Sequence, residues 1–344
     1  MTLRLFVLVI GVIGLVSPLA ADTSYRVLSF DQLDGWEQDD HTSALGVFRN
    51  TCPDMEADDW LALCAFADGG PTAKSFFELF FRPVLIEDGN APLFTGYFEP
   101  ELNGSRTRTG PFQHPVYKMP PEARRIRPWL TRRQILQGSA MQGRGLEIAW
   151  VDDPVALFFL QIQGSGRIRL QDGSLIRIGF AGANGHSYRS VGSELVRRGV
   201  YRPHQVSAQV ISNWVRRNPV AGRELLFTNP SYVFFREITD LPEVLGPIGA
   251  MSRSITTMRS IAIDPRYVPL GAPVWVEKDG EEPLRRLMIA QDTGSAIKGA
   301  QRADIFFGTG DLAGQRAGKL RDPGRMLVLM PIQRAYALVS ESAQ

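Results

Sequence analysis

Residues 260–294 read SIAIDPRYVPLGAPVWVEKDGEEPLRRLMIAQDTG, and their punctuation decides the fold. The apolar runs Ser260 to Ile263, Val274 to Val276 and Leu287 to Gln291 are each too short for a stable helix, and each is closed by Asp, Pro, Gly or charged residues. Short runs of this kind, rich in Val and Ile, read as strands. The pattern continues downstream at Met326 to Met330, and upstream at Leu93 to Glu99, Ala156 to Gln163, Arg167 to Leu170, Leu175 to Phe180 and Tyr232 to Ile238. Helical spacing is confined to Asp58 to Phe66, Thr72 to Phe81, Ser193 to Arg198, Gln205 to Arg217, Val220 to Leu226 and Leu312 to Lys319. Strands without crossover helices must pair antiparallel or close on themselves. The expected class is therefore mainly β, a barrel or sandwich with helices at its periphery.

The chain has 344 residues, 44% hydrophobic and 22% charged, with 33 Gly and 23 Pro. That length suits about two domains of roughly 150 residues, and the composition excludes disordered, collagenous and coiled-coil chains. A formal net charge of +2 gives no footprint for a nucleic-acid partner. Charge is uneven locally: residues 31–68 hold ten acidic residues against Arg49, and residues 101–135 hold eight basic ones against Glu101 and Glu122. The basic stretch suits an acidic ligand or a solvated face. Stretches rich in Pro with Arg or Gly at Thr107 to Pro128 and Thr239 to Pro247 read as two crossings between domains.

Arg4, the apolar run Leu5 to Val16 and the small-residue exit Ser17 to Ala21 form a secretory leader, expected to be cleaved after Ala20 or Ala21. No cysteine follows that run, so an exported, periplasmic protein without a lipid anchor is expected. Cys52 and Cys64 are the two cysteines. In an oxidising compartment a disulfide between them is permitted and would close a loop of about 13 residues, worth roughly 3 kcal/mol; two separate buried thiols are the alternative. The histidines, His41, His114, His186 and His204, show no zinc spacing, and neither metal nor cofactor is expected.

Three motifs fail on inspection. Gln163 to Gly166 lacks the first glycine of a nucleophile elbow, Gly308 to Gly314 misses the dinucleotide spacing, and Gly294 to Lys298 does not match a phosphate loop. What remains is carboxylates and amides in loops. Asp264, Asp292 and Asp304 each follow or interrupt an apolar run, and burial raises the pKa of a carboxyl group toward that of a general acid at neutral pH. Read as a strand, Phe159 to Gly166 puts Gln161 and Gln163 on one face, ready to bond sugar hydroxyls or to support the glycine turns internally. Tyr97 and Tyr188 are candidates for stacking on sugar rings.

The stretches Thr95 to Pro100, Phe159 to Gly166, Ala181 to Gly192, Asn229 to Phe235 and the three-aspartate block Ser260 to Leu329 resemble the membrane-bound lytic transglycosylase A family, in order, over nearly the whole mature chain. The resemblance implies a double-psi β-barrel of residues 22–105 plus 240–344, with a smaller β-rich domain, 106–239, inserted in it after the leader at 1–21. Peptidoglycan glycan strands would lie between the two, with the protein a monomer. It places the catalytic acid at Asp304, matches Asp292 and Asp264 to the other two motif aspartates, and makes Tyr97, Glu99, Gln161, Gln163, Ser165, Asn184, Tyr188 and Arg189 candidate glycan contacts. The implied reaction cuts the bond between N-acetylmuramic acid and N-acetylglucosamine without water, leaving a 1,6-anhydro end. A hydrolase of the same bond and a non-catalytic wall-binding barrel are the rival readings.

Overall fold

The computed structural model describes residues 23–342, so the leader expected at residues 1–21 lies outside the described residues. Fifteen strands occur among them: β1 (Ser24–Val27), β2 (Phe81–Glu87), β3 (Leu93–Glu99), β4 (Glu101–Ser105), β5 (His114–Tyr117), β6 (Glu147–Val151), β7 (Gly166–Leu170), β8 (Leu175–Ala183), β9 (Val233–Ile238), β10 (Ser260–Ile263), β11 (Pro273–Lys278), β12 (Leu284–Thr293), β13 (Arg302–Thr309), β14 (Arg321–Asp322) and β15 (Gly324–Pro331). Nine form one sheet in the order β1-β2-β15-β11-β12-β10-β13-β3-β14, and six form another in the order β5-β6-β4-β7-β8-β9.

In the larger sheet two parallel pairs, β10 with β12 and β13 with β3, are joined by an antiparallel contact of β10 with β13. A parallel pair needs a crossover connection, so the strands wind through one another and do not run as a simple meander, in keeping with a double-psi barrel. β10 and β11 are buried at every position, which is why residues 261–263 and 274–276 read as apolar runs without alternation, while Glu277 and Lys278 at the end of β11 are buried charges. The core gathers Trp36, Phe48, Phe76, Phe77, Phe81 and Trp275, whose rings meet tilted or edge-on, the arrangement favoured by aromatic quadrupoles. The helix Ala73–Phe80 supplies Phe76 and Phe77, and Thr72 caps it by accepting the Ser75 N–H. A disulfide joins Cys52, after the helix His41–Thr51, to Cys64 in the helix Asp58–Ala67.

The smaller sheet closes over Leu102, Val116, Ile148, Ile168, Ile178 and Phe235. Its strand β4 pairs with β6 and β7, so the chain leaves the larger sheet at Pro100 and the boundary expected after residue 105 falls one strand late. Ala156 to Gln163 is also corrected. It belongs to a helix, Pro154–Gln163, opened by Asp153, which accepts from the N–H groups of Val155 and Ala156, and closed by Gly164 at φ 81°. Val155, Leu157, Phe158 and Leu160 are all buried, and a helix covered on most sides has no amphipathic period to betray it. Gln161 and Gln163 consequently point roughly 200° apart and do not share a face.

Candidate active site

One row across four strands assembles the chemistry. Asp292 on β12 stands opposite Ala262 on β10, Ala262 opposite Asp304 on β13, and Asp304 opposite Thr95 on β3. Opposed residues project from the same sheet face, so two carboxyl groups and a hydroxyl emerge together across a small alanine. The row depends on a bulge, because the β10–β12 register slips between Ile261 and Ala262 and leaves Gln291 as the extra residue. In unbroken register Gln291 would face Ala262, and Asp292 would turn to the opposite side. Gln291 is fully buried, and its Oε1 accepts from Ser260 Oγ.

Both oxygens of Asp292 accept hydrogen bonds. Its Oδ2 accepts from the Tyr97 hydroxyl at 3.0 Å, and its Oδ1 accepts from the N–H groups of Ala250 at 3.1 Å and Thr293 at 2.9 Å. Burial nevertheless pushes its pKa up to about 6, with the Asp304 charge adding to the rise and the three donors opposing it. The same burial, together with both carboxylates, lifts the Tyr97 phenol well above its ordinary range, so Tyr97 remains a donor. Tyr97 also packs against Phe306, ring centroids 5.3 Å apart.

Asp304 differs. Its pKa is raised, chiefly by burial, against the lowering influence of Thr95 and of the Arg302 charge. Thr95 Oγ1 donates to Oδ1 at 2.5 Å, and Oδ2 has no hydrogen-bond partner among the described residues. The residue is only partly buried. It therefore combines a proton held more firmly than on an ordinary aspartate with an oxygen free to deliver it.

Asp264 does not join them. The Arg266 guanidinium, bonded at 2.6 Å, pulls its pKa down to about 2, and the N–H groups of Gly299 and Arg266 reinforce this against the effect of burial. It is wholly buried and anchors the loop at Gly299, whose φ of +120° suits glycine alone. The expectation of a raised pKa fails here because bonding to the charged form outweighs desolvation.

Among the other expected contacts, Glu99 is 1% exposed and holds Arg167, Arg177 and Thr309, so it ties the two sheets and does not meet solvent. Gln161 is buried and accepts from Arg132. Asn184 is wholly buried, donating to the carbonyls of Leu130 and Pro230 and accepting from Tyr232 N–H. Both are internal supports, the second of the two roles open to such amides. Gln163 Oε1 accepts from the Phe98 N–H at 3.2 Å, spanning the junction beside the row. Ser165 lies partly open just beyond it, and the side chains of Tyr188 and Arg189 are exposed in the smaller lobe. Sequence reasoning missed Thr95 as a site residue, together with Arg302, Gln291 and Ala250. Only the pairing of β3 with β13 and the bulge in β12 reveal them, since each acts through a partner distant in sequence.

Comparison with known proteins finds two family matches, the first of which begins at β3 in the larger sheet and runs through the smaller one. Residues 93–236 match the MltA specific insert domain, and residues 259–330 match the 3D domain. The membrane-bound lytic murein transglycosylase A of Escherichia coli K12 is 38% identical over 248 residues, 69% of this chain and 65% of the relative, so the match spans just under two thirds of that protein's length. The protein of the same name from Vibrio cholerae is 34% identical over 274 residues, covering 75% of this chain and 71% of the relative. Among solved structures, MltA from Neisseria gonorrhoeae superposes with a TM-score of 0.78 at 35% identity, covering 91% of this chain and 95% of that one. E. coli MltA with bound chitohexaose superposes with a TM-score of 0.73 at 29% identity, covering 89% and 94%.

Proposed function

The chain belongs to the membrane-bound lytic murein transglycosylase A family, and we propose that it cleaves the β-1,4 bond between N-acetylmuramic acid and N-acetylglucosamine in peptidoglycan of the cell envelope, with Asp304 as its single acid and base. The observation that carries this reading is the contrast within the row: burial raises the pKa of both carboxyl groups, but Asp304 keeps an open oxygen while both oxygens of Asp292 already accept hydrogen bonds.

Protonated Asp304 gives its proton to the glycosidic oxygen as the bond to C1 breaks and positive charge develops on C1 and the ring oxygen. The C6 hydroxyl of the muramoyl sugar then attacks C1 and returns its proton to the same carboxylate, closing a 1,6-anhydro ring. An internal nucleophile has a large effective molarity, so no water has to be positioned and no second carboxylate is needed, unlike ordinary glycosidases. A hydrolase would require such a second carboxylate. Asp292 is occupied by Tyr97, Ala250 and Thr293, and Asp264 is ion-paired and buried. Asp292 instead holds Tyr97 and the turn at Ala250 in place. Chitohexaose in the E. coli relative supports a glycan ligand, and the exposed Tyr188 and Arg189 suit a sugar ring and an acidic lactyl or peptide group.

The test is mass spectrometry of products from purified murein with wild type and Asp304→Ala. Anhydro ends from wild type and loss of turnover in the variant are expected. Reducing ends would mean hydrolysis, and an unchanged effect on murein in Asp304→Ala would mean a binding module without catalysis.

A further inference from the structure

A carboxylic acid that must deliver a proton has two oxygens on which to carry it, and the neighbours of Asp304 choose between them. Alternation places Arg302 and Asp304 on one face of β13, with Leu93 and Thr95 opposite them on β3. Arg302 Nη2 donates to Thr95 Oγ1 at 2.8 Å, and that hydroxyl donates to Asp304 Oδ1 at 2.5 Å. The other arm of the guanidinium, Nη1, is held by the carbonyls of Leu93 and Ala303, which keeps Arg302 from swinging across to the carboxylate itself. A guanidinium can only donate, and a threonine hydroxyl has a single hydrogen. With Arg302 occupying a lone pair of Oγ1, that hydrogen is directed at Asp304.

We infer that Arg302 and Thr95 form a positioning relay in which Arg302 orients the Thr95 hydroxyl, the hydroxyl occupies Asp304 Oδ1, and the transferable proton is confined to Oδ2, the oxygen open to substrate. The inference rests on the reading of Asp304 as the acid. Neither relay residue touches the reacting atoms. The proton leaves Oδ2 for the glycosidic oxygen and returns to Oδ2 from the C6 hydroxyl, so the carboxyl group need not rotate between the two half-reactions. Interposing a hydroxyl between cation and carboxylate gives orientation without the direct ion pair that would favour loss of the proton.

The experiment measures kcat, KM and the pH profile on soluble murein glycan fragments for the full chain and for Thr95→Val, Thr95→Ser, Arg302→Met and Asp304→Asn, with thermal melting to check folding. Thr95→Val and Arg302→Met are expected to lower kcat about ten-fold or more with KM nearly constant. The alkaline limb of kcat should move to higher pH in both, because each wild-type residue favours the ionised form of Asp304. Thr95→Ser should recover most of the rate lost in Thr95→Val. If Arg302→Met fails to fold, the near-isosteric Thr95→Val carries the test by itself. Wild-type kcat and an unmoved alkaline limb in Thr95→Val, with Asp304→Asn inactive, would overturn the relay and leave the acid in place. A raised KM with kcat unchanged would make Thr95 a substrate contact and also overturn it. Full activity in Asp304→Asn would overturn both the relay and the reading beneath it.

Discussion

Asp264, Asp292 and Asp304 leave similar apolar runs, yet one collects a guanidinium and two N–H groups, one collects a hydroxyl and two N–H groups, and one collects a single hydroxyl. Burial raises all three; the donors then sort them. For Asp264 the folded pKa of about 2 lies below its ordinary value of 3.8, so its charge stabilises the fold above about pH 4, and that contribution is lost as pH falls toward 2. Asp264→Asn should therefore cost about 1–3 kcal/mol at pH 7. Chemical denaturation repeated from pH 5 downward should show the gap to wild type narrowing over that window, whereas a constant gap would assign the loss to packing. The flanking sequence made the three aspartates legible as a group. It could not separate them, because the donors to Asp264 and Asp292 include backbone groups of loops at Gly299 and Ala250 that no local pattern brings near.

At the scale of elements, the strands at Leu93–Glu99 and Ser260–Ile263 coincide with the runs read from sequence, since a short apolar stretch between turn residues has few other outcomes. β13 was not legible as a strand, because Arg302 and Asp304 interrupt its apolar residues and Gly308 breaks its end. Nor was the bulge at Gln291, which exists only as a relation between two strands. The turn that follows Gly249 is fitted against that bulge: a Cβ added at Gly249 would lie 2.7 Å from the Gln291 carbonyl oxygen and 2.7 Å from Ile255 Cγ2. Such contacts force movement. The turn donates the Ala250 N–H to Asp292, so Gly249→Ala should displace it. We expect kcat to fall about ten-fold while the circular dichroism spectrum stays that of wild type. Unaltered turnover would mean that the turn does not position Asp292.

Across the whole molecule, the two sheets are coupled by a buried charge cluster at the places where the chain passes between them. Glu99 ends β3 just before the first passage at Pro100. Arg167 on β7 and Arg177 on β8 bind it from the other sheet, and the same two guanidinium groups also donate to the carbonyls of Pro242, Glu243 and Leu245 on the return passage. The Pro and Gly of that return segment marked it in the sequence, but Glu99 gave no sign of this role, since its arginines lie 68 and 78 residues away. Removing one member of a buried, hydrogen-bonded ion cluster leaves uncompensated charge, typically at a cost of 3–5 kcal/mol. The Glu101–Arg169 pair, two residues further along each chain segment, has its side chains 30% and 45% exposed, and exposed pairs contribute about 0–1 kcal/mol. Glu99→Ala should therefore lower the free energy of unfolding in urea by about 3–5 kcal/mol, and Glu101→Ala by no more than about 1 kcal/mol. Equal losses in the two variants would show that the sheets are held together by their apolar contacts and not by this carboxylate.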